Sequence, residues 1–436
     1  MIDDLLNIAS DAVAHARKLG ADAAEASVAD GRSTDVEMRD GRIEKLEGSE
    51  GRRIGLTVFN GKSSATISGS VLTKEAIHRL AENALAMAKL APPNPFAGIA
   101  DPQQLATSFP KLDLVSEQLP GAAELERMAR DVEKAALGVA SVSKSGGASA
   151  SASDRSAALV ISNGFAQGNR RTGLSIGVSA IAGEGTAMER DYDYSSAIHF
   201  GDLRTPDSVG LEAGRRAVRR LNSRKVKSQA VPIVFDQRVA SSLIHHVLGA
   251  ISGSAIARGT SFLKDYLGKR IFPEGITIVE DPFIPRGLGS RAFDGDGIAR
   301  AKRNIIDGGV LTTWLLDLRS ARQLNLAPTG HGSGVSNVYL KAGTASRDEL
   351  LRDVPRGLYV TEMIGSSVNM VTGDYSRGAS GFWIENGELT YPVSEITIAG
   401  NLKDMFLNLT QASDLEFRTS INAPTCRVEG LTIAGL

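Results

Sequence analysis

The chain has 436 residues and a single cysteine, Cys426. An internal disulfide is therefore excluded, and a reducing compartment is the natural setting. An excess of either charge is also missing. Lys and Arg number 49 against 50 Asp and Glu, for a formal net charge of −1. Such a balance disfavours nucleic acid or an anionic membrane as a partner of the whole chain. Long apolar runs are absent too, and no stretch approaches the roughly 18 residues that cross a bilayer. Asp3 and Asp4 stand where a secretory signal would carry positive charge. No membrane association and a cytoplasmic location are expected.

What is present is a globular composition, 42% hydrophobic and 23% charged. That suffices for one large domain or two. Helical periodicity marks residues 2–19, 73–90, 122–137 and 208–221. Asp40-Gly41 and Asn60-Gly61 read as hairpin turns beside strand-like runs such as RIGLTVF. SKSGGASASAS, despite its alternation of small residues, reads as a loop leading into a strand that ends near ALVIS. Residues 222–230, NSRKVKSQA, read as a polar linker. Beyond it come VPIVF, GITIVED, VLTTWLLD, GLYVTEMIG, GFWIENGELTYP and VSEITIAG, all strand-like, with short helices near 317–324 and 347–354. The expected fold class is α+β in two domains. Residues 1–225 form an α+β domain of helices and antiparallel hairpins. Residues 226–436 form a β-rich domain carrying one helix with adjacent histidines.

Several motifs resolve into ordinary structure. GLGSRA, from Gly287 to Ala292, lacks the preceding strand and following helix of a dinucleotide fingerprint. FDGDG lacks the remaining ligand positions of a calcium loop. RRAVRRLNSRKVK carries seven cations between Arg215 and Lys227 but no interleaved aromatics, and reads as a solvated or partner-facing surface. PTGHGSGVSN holds His331 and Ser333 without the order of a nucleophile elbow, and reads as a loop near a cleft.

The histidine pair lies in SSLIHHVLGAISGSAI. Val239, Leu243, Val247, Ala250 and Ile251 make an apolar face, with His246 at its edge and His245 turned about 100° away. A zincin helix needs two histidines on one face and a glutamate base. Here His246 directly follows His245, and Val247, Leu248, Gly249 and Ala250 come next. Spacing alone favours a structural pair over a metal site.

The C-terminal half resembles the TldD/PmbA family of peptidase proteins, in its PmbA (TldE) branch. The blocks that carry the resemblance are GAISGSAI, FDGDGIARAKRNIIDGGVLTTWLLD, LAPTGHG, GSSVNMVTGDYSRGASGFWIENGELTYPV and VEGLTIAG. The first helix, RDGRIE, RRIGLTVF and GRRAVRRL fit more loosely. The resemblance implies a two-subunit zinc peptidase. Its TldD branch supplies an H-E-x-x-x-H helix and a later cysteine as ligands, and its PmbA branch shares the fold without that set. Laid onto this chain, the first ligand position falls on His245, the glutamate on His246 and the second histidine on Ala250. The stretch matching the cysteine ligand, SDLEFRTSINAPT, holds no cysteine, and Cys426 follows it in a separate strand-like run.

The resemblance thus implies a vestigial metal helix, with no catalytic residue, no metal ligand and no cofactor of this chain's own. Zinc would belong to a TldD-like partner, in a heterodimer that matures or degrades unfolded and leader peptides. Alone, the chain would form a homodimer. An extended peptide could lie along a sheet edge. His331, Gly373, Asp374, Tyr375, Gly378 and Gly381 are candidates for its cleft, the glycines for close backbone approach. Two other functions stay open: a regulatory binding protein of the gyrase-modulator kind, and an independent hydrolase using His246, His331 or Ser333.

Overall fold

Alanine and serine alternate through residues 148–153, and in a strand that period of two sends them to opposite faces. The structure, a computed structural model, describes residues 2–435. It builds the whole small-residue run into strand, correcting the expected loop. Ala148, Ala150 and Ala152 pack beneath helices, while Ser149, Ser151 and Ser153 occupy the other face.

The first half follows the order α1 (Ile2–Lys18), β1 (Ala23–Arg39), β2 (Arg42–Asn60), β3 (Ser63–Gly69), α2 (Lys74–Leu90), α3 (Ala122–Leu137), β4 (Val142–Ile161), β5 (Ala166–Ala182), β6 (Glu189–Ala197) and α4 (Pro206–Arg219). Its strands form one antiparallel sheet, β3-β2-β1-β4-β5-β6. All four helices cover one face. α1 and α2 pack over one end of the long strands, α3 and α4 over the other. The turn at Asp40-Gly41 holds φ of 51° and 72°, the left-handed pair that a tight hairpin demands. In α4, a Cβ added at Gly210 would lie 2.3 Å from the carbonyl oxygen of Val132, so glycine there sets how closely α3 and α4 approach.

The second half contains β7 (Gln229–Phe235), α5 (Gln237–Ala250), α6 (Gly253–Ala257), β8 (Ile278–Asp281), β9 (Arg303–Asp307), β10 (Val310–Leu311), α7 (Leu318–Leu324), β11 (Asn337–Leu340), α8 (Arg347–Arg352), β12 (Arg356–Val368), β13 (Asp374–Glu385), β14 (Glu388–Asn401), α9 (Leu402–Leu407), β15 (Leu409–Gln411), β16 (Ile421–Asn422) and β17 (Cys426–Ala434). One sheet runs β10-β9-β8-β11-β16 and the other β14-β13-β12-β7-β17-β15. β14 also pairs with β17, Thr397 opposite Ala434, so five strands close into a ring. The largest apolar cluster lies among the ring, α5 and the smaller sheet. VLTTWLLD, read as a strand, pairs as one only at Val310–Leu311. Its remainder caps the end of α5, with Leu315 N–H donating to Ile251 O at 3.0 Å.

Residues 222–230 are no free tether. Arg224 N–H donates to Pro392 O at 2.9 Å, Ser223 meets Ser394 at 2.9 Å, Lys225 pairs with Glu395, and Val226 is buried. The run is stitched along β14.

Candidate functional site

α5 begins where Asp236 accepts the N–H of Arg238 at 2.9 Å, the N-cap that its position before an apolar run predicts. The other carboxylate oxygen of Asp236 accepts the Tyr359 hydroxyl at 2.6 Å, tying the helix to β12. Ala240, Leu243, Ile244, Val247, Leu248 and Ala250 are buried. His245 faces solvent, and its Nδ1–H donates to Ser241 O at 2.9 Å. His246 turns inward. Its Nε2 is buried without a hydrogen-bond partner among the described residues, and its ring stands edge-on to Tyr375. Burial, with the charges of Arg377 and His245, pushes its pKa down to about 4. Ala250 is fully buried.

The structure therefore brings two expected elements together. The histidine helix and the GDYSRG strand meet through His246 and Tyr375, whose hydroxyl is buried near Arg377. Gly373 opens β13 at φ +89°, and a Cβ there would crowd Asn401. Asp374 is exposed and bound by Thr372 at 2.6 Å and Asn401 at 3.1 Å, which hold its carboxyl below the usual range. Gly378 lies opposite Ile364.

Gly381 and His331 are placed differently from a cleft lining. A Cβ on Gly381 would fall 1.9 Å from Tyr359 O, so this glycine serves the contact of β13 with β12 at a bulge. His331 is buried between Glu280 and Thr329, with 2.8 Å contacts at both ring nitrogens. Glu280 also accepts Arg300 at 3.2 Å and the N–H of Ser336 at 2.8 Å. Burial raises its pKa, but His331, Ser336 and Arg300 outweigh that and hold it at about 2. Ser333 Oγ accepts Arg291 and Arg300. The hydroxyl that meets His331 is that of Thr329 and not that of Ser333, so a His331–Ser333 pair is not assembled.

Part of the SDLEFRTSINAPT stretch lies beside α5. Glu416, Thr419 and Asn422 share a small cavity with Gln237, Arg238 and Ser241. Cys426 lies beyond it, fully buried, with Sγ directed at Pro424 O at 3.2 Å, and burial pushes its thiol up. A zinc ion asks for three or four converging nitrogen, oxygen or sulfur ligands. One exposed imidazole, one buried imidazole edge-on to a phenol, and a methyl group do not fit that requirement.

Sequence reasoning missed the charged junction beside this helix. Asp193 gathers Arg204, Arg216 and Arg418 at 2.6, 3.0 and 2.6 Å. Asp191 takes Arg238 at 3.0 Å, and Glu362 takes Arg190 and Arg220. Within the cation run, Arg220 reaches Glu362, Lys225 reaches Glu395 and Arg219 lies over Phe382, all in the second half, while Arg215, Arg219, Arg224, Lys225 and Lys227 stay exposed. The signal was available: Glu189, Asp191 and Asp193 alternate along one strand, opposite a cationic helix.

Three family models match in chain order. They are the PmbA/TldA metallopeptidase domain 1 over residues 24–88, the central domain over 116–221 and the C-terminal domain over 228–435. The Escherichia coli protein named metalloprotease PmbA is 39% identical over 98% of this chain and 96% of its own length. The chain belongs to the PmbA/TldD metallopeptidase family. A crystal structure of a candidate modulator of DNA gyrase from Bacteroides thetaiotaomicron is 30% identical, covers 100% of both chains and superposes with a TM-score of 0.95. TldE from Thermococcus kodakarensis, 20% identical and covering 98% of this chain and 100% of its own, shares the fold with a TM-score of 0.86.

Proposed function

We propose that this chain is the non-metal-binding subunit of a TldD/TldE-type zinc peptidase that degrades or matures unfolded and leader peptides. One observation carries the reading: α5 keeps an imidazole only at the first ligand position. At the glutamate position His246 is neutral at pH 7, with a pKa near 4. A neutral imidazole can accept a proton, but it lacks the negative charge that would hold a zinc-bound hydroxide and its proton in balance. At the second histidine position Ala250 offers no donor at all. The fold around the helix is intact, which suits a subunit that shapes a chamber while its partner supplies the metal.

The experiment is a reconstitution. This chain, a TldD-like chain carrying H-E-x-x-x-H, and their mixture are each assayed on unstructured peptides, with native mass measured in parallel. The expected result is a homodimer alone, a heterodimer in the mixture, and cleavage in the mixture that a chelator removes. His245→Ala in this chain should leave that cleavage nearly unchanged. Cleavage by this chain alone at the rate of the pair would overturn the proposal, as would a loss on His245→Ala equal to loss of a partner ligand.

A further inference from the structure

Between the two halves lies a cavity of about 770 Å³ that the helix chemistry above leaves unused. Six arginines line it, Arg204, Arg216, Arg219, Arg238, Arg347 and Arg418, against the four carboxylates Asp191, Glu212, Asp236 and Glu416. A further wall is apolar, made by Tyr359, Phe382, Leu389 and Phe417, and Phe417 is 58% exposed.

Two groups on this lining, Arg219 and Thr361, are left out of the ion-pair network. Arg204, Arg216 and Arg418 converge on Asp193, a single carboxylate, and only Arg216 has a second one in Glu212 at 2.7 Å. Arg219 meets no carboxylate among the described residues, and its guanidinium lies 4.7 Å from the ring centre of Phe382. Thr361, on the same wall, is 9% exposed, and its Oγ1 is buried without a partner among the described residues. A buried hydroxyl left unpaired is costly, and a ligand that accepts its proton would remove that cost. A network serving only to hold the halves together would satisfy its hydroxyls.

We propose that this cavity binds a carboxylate carried by a peptide, with Arg219 and its neighbouring guanidiniums holding the anion. Guanidiniums suit this because their fork of N–H groups matches both oxygens of a carboxylate. The Tyr359, Phe382, Leu389 and Phe417 wall takes the adjoining apolar side chain. The volume suits a short peptide end. A C-terminal carboxylate and an Asp or Glu side chain share this chemistry. The inference rests on the peptide-handling reading and names the group recognised.

The full chain is titrated with an N-terminally labelled unstructured peptide in three forms: free acid, C-terminal amide, and amide with Glu as the last residue. Thermal shift with glutarate runs alongside, and both measurements are repeated on Arg219→Gln and Thr361→Val. The free acid should bind about tenfold or more tighter than the plain amide, since hydrogen bonds to a charged group are lost. Recovery by the Glu-bearing amide assigns the site to side-chain carboxylates as well, and no recovery assigns it to the terminus. Arg219→Gln, which breaks no ion pair between the halves, should erase most of the acid preference. Thr361→Val should reduce it without unfolding the chain. Acid and amide binding equally, with no glutarate shift, overturns the cavity and leaves peptide handling standing. No peptide binding, with a glutarate shift that Arg219→Gln abolishes, keeps the cavity and removes peptide handling. Silence in both measurements removes both.

Discussion

The imidazole of His246 stands edge-on to the phenol of Tyr375, with 5.8 Å between ring centres and 84° between planes. This contact joins the helix Gln237–Ala250 to the strand Asp374–Glu385, and it leaves His246 Nε2 buried without a hydrogen-bond partner among the described residues. A charge on the imidazole is unwelcome there, because burial strips its water and Arg377 and His245 repel it.

The first prediction follows from that contact. The folded pKa of His246, about 4, is below the 6.5 of a free histidine. As pH falls through this window the unfolded chain takes the proton first, so stability is lost. Wild type should lose up to about 2–3 kcal/mol more than His246→Phe between pH 7 and pH 4, as read from urea midpoints. Parallel curves for the two proteins would remove His246 as the titrating group.

A pair of carboxyls works in the opposite direction. Burial and then Asp296 raise Glu25 to about 7, and burial and then Asp294 raise Asp296 to about 6. The folded state prefers both protonated, so their contribution is present at low pH and is lost as pH rises through about 6 to 7. Glu25→Gln should therefore stabilise the protein by about 1–2 kcal/mol at pH 8 and change little at pH 4. A loss of stability at pH 8 would contradict this.

Gly210 tests the packing of α3 on α4. Alanine is the better helix former by about 1 kcal/mol, yet its Cβ would be driven into the Val132 carbonyl. Gly210→Ala should cost about 2 kcal/mol or more in thermal or urea unfolding. Gly201→Ala, where nothing lies within 4 Å of the added atom, is the control and should be near neutral.

Trypsin should spare the bonds after Arg224, Lys225 and Lys227 in the native protein, because this run is paired along β14. The same bonds should be cut in urea. Early native cleavage there would restore the picture of a mobile tether.

Local chemistry made much of this fold legible. Helical periodicity announced α1 to α4, and Asp40-Gly41 announced a hairpin whose φ values are positive at both residues. The small-residue strand was missed because serine and glycine also compose loops. Only the burial of Ala148, Ala150 and Ala152 under α3 and α4 decides the matter. Partners far apart in sequence were beyond reach: His331 and Glu280 lie 51 residues apart, and Arg418 and Asp193 lie 225 apart. At the metal helix, residue types showed what was lacking, but not that His246 had turned inward onto Tyr375.

The closure of β14 onto β17 sets an order of events during synthesis. β7 emerges early, yet its ring neighbours are β12 and β17, and residues 426–434 must be made before the last gap shuts. The sheet of the first half has all its strands by Ala197 and can form while the ring is still waiting. Until β17 arrives, β7 and β14 present open hydrogen-bonding edges, the kind of surface that chaperones and proteases recognise. A chain cut short by even its final strand would keep those edges open permanently, so clearance by quality control, not residual function, is its expected fate.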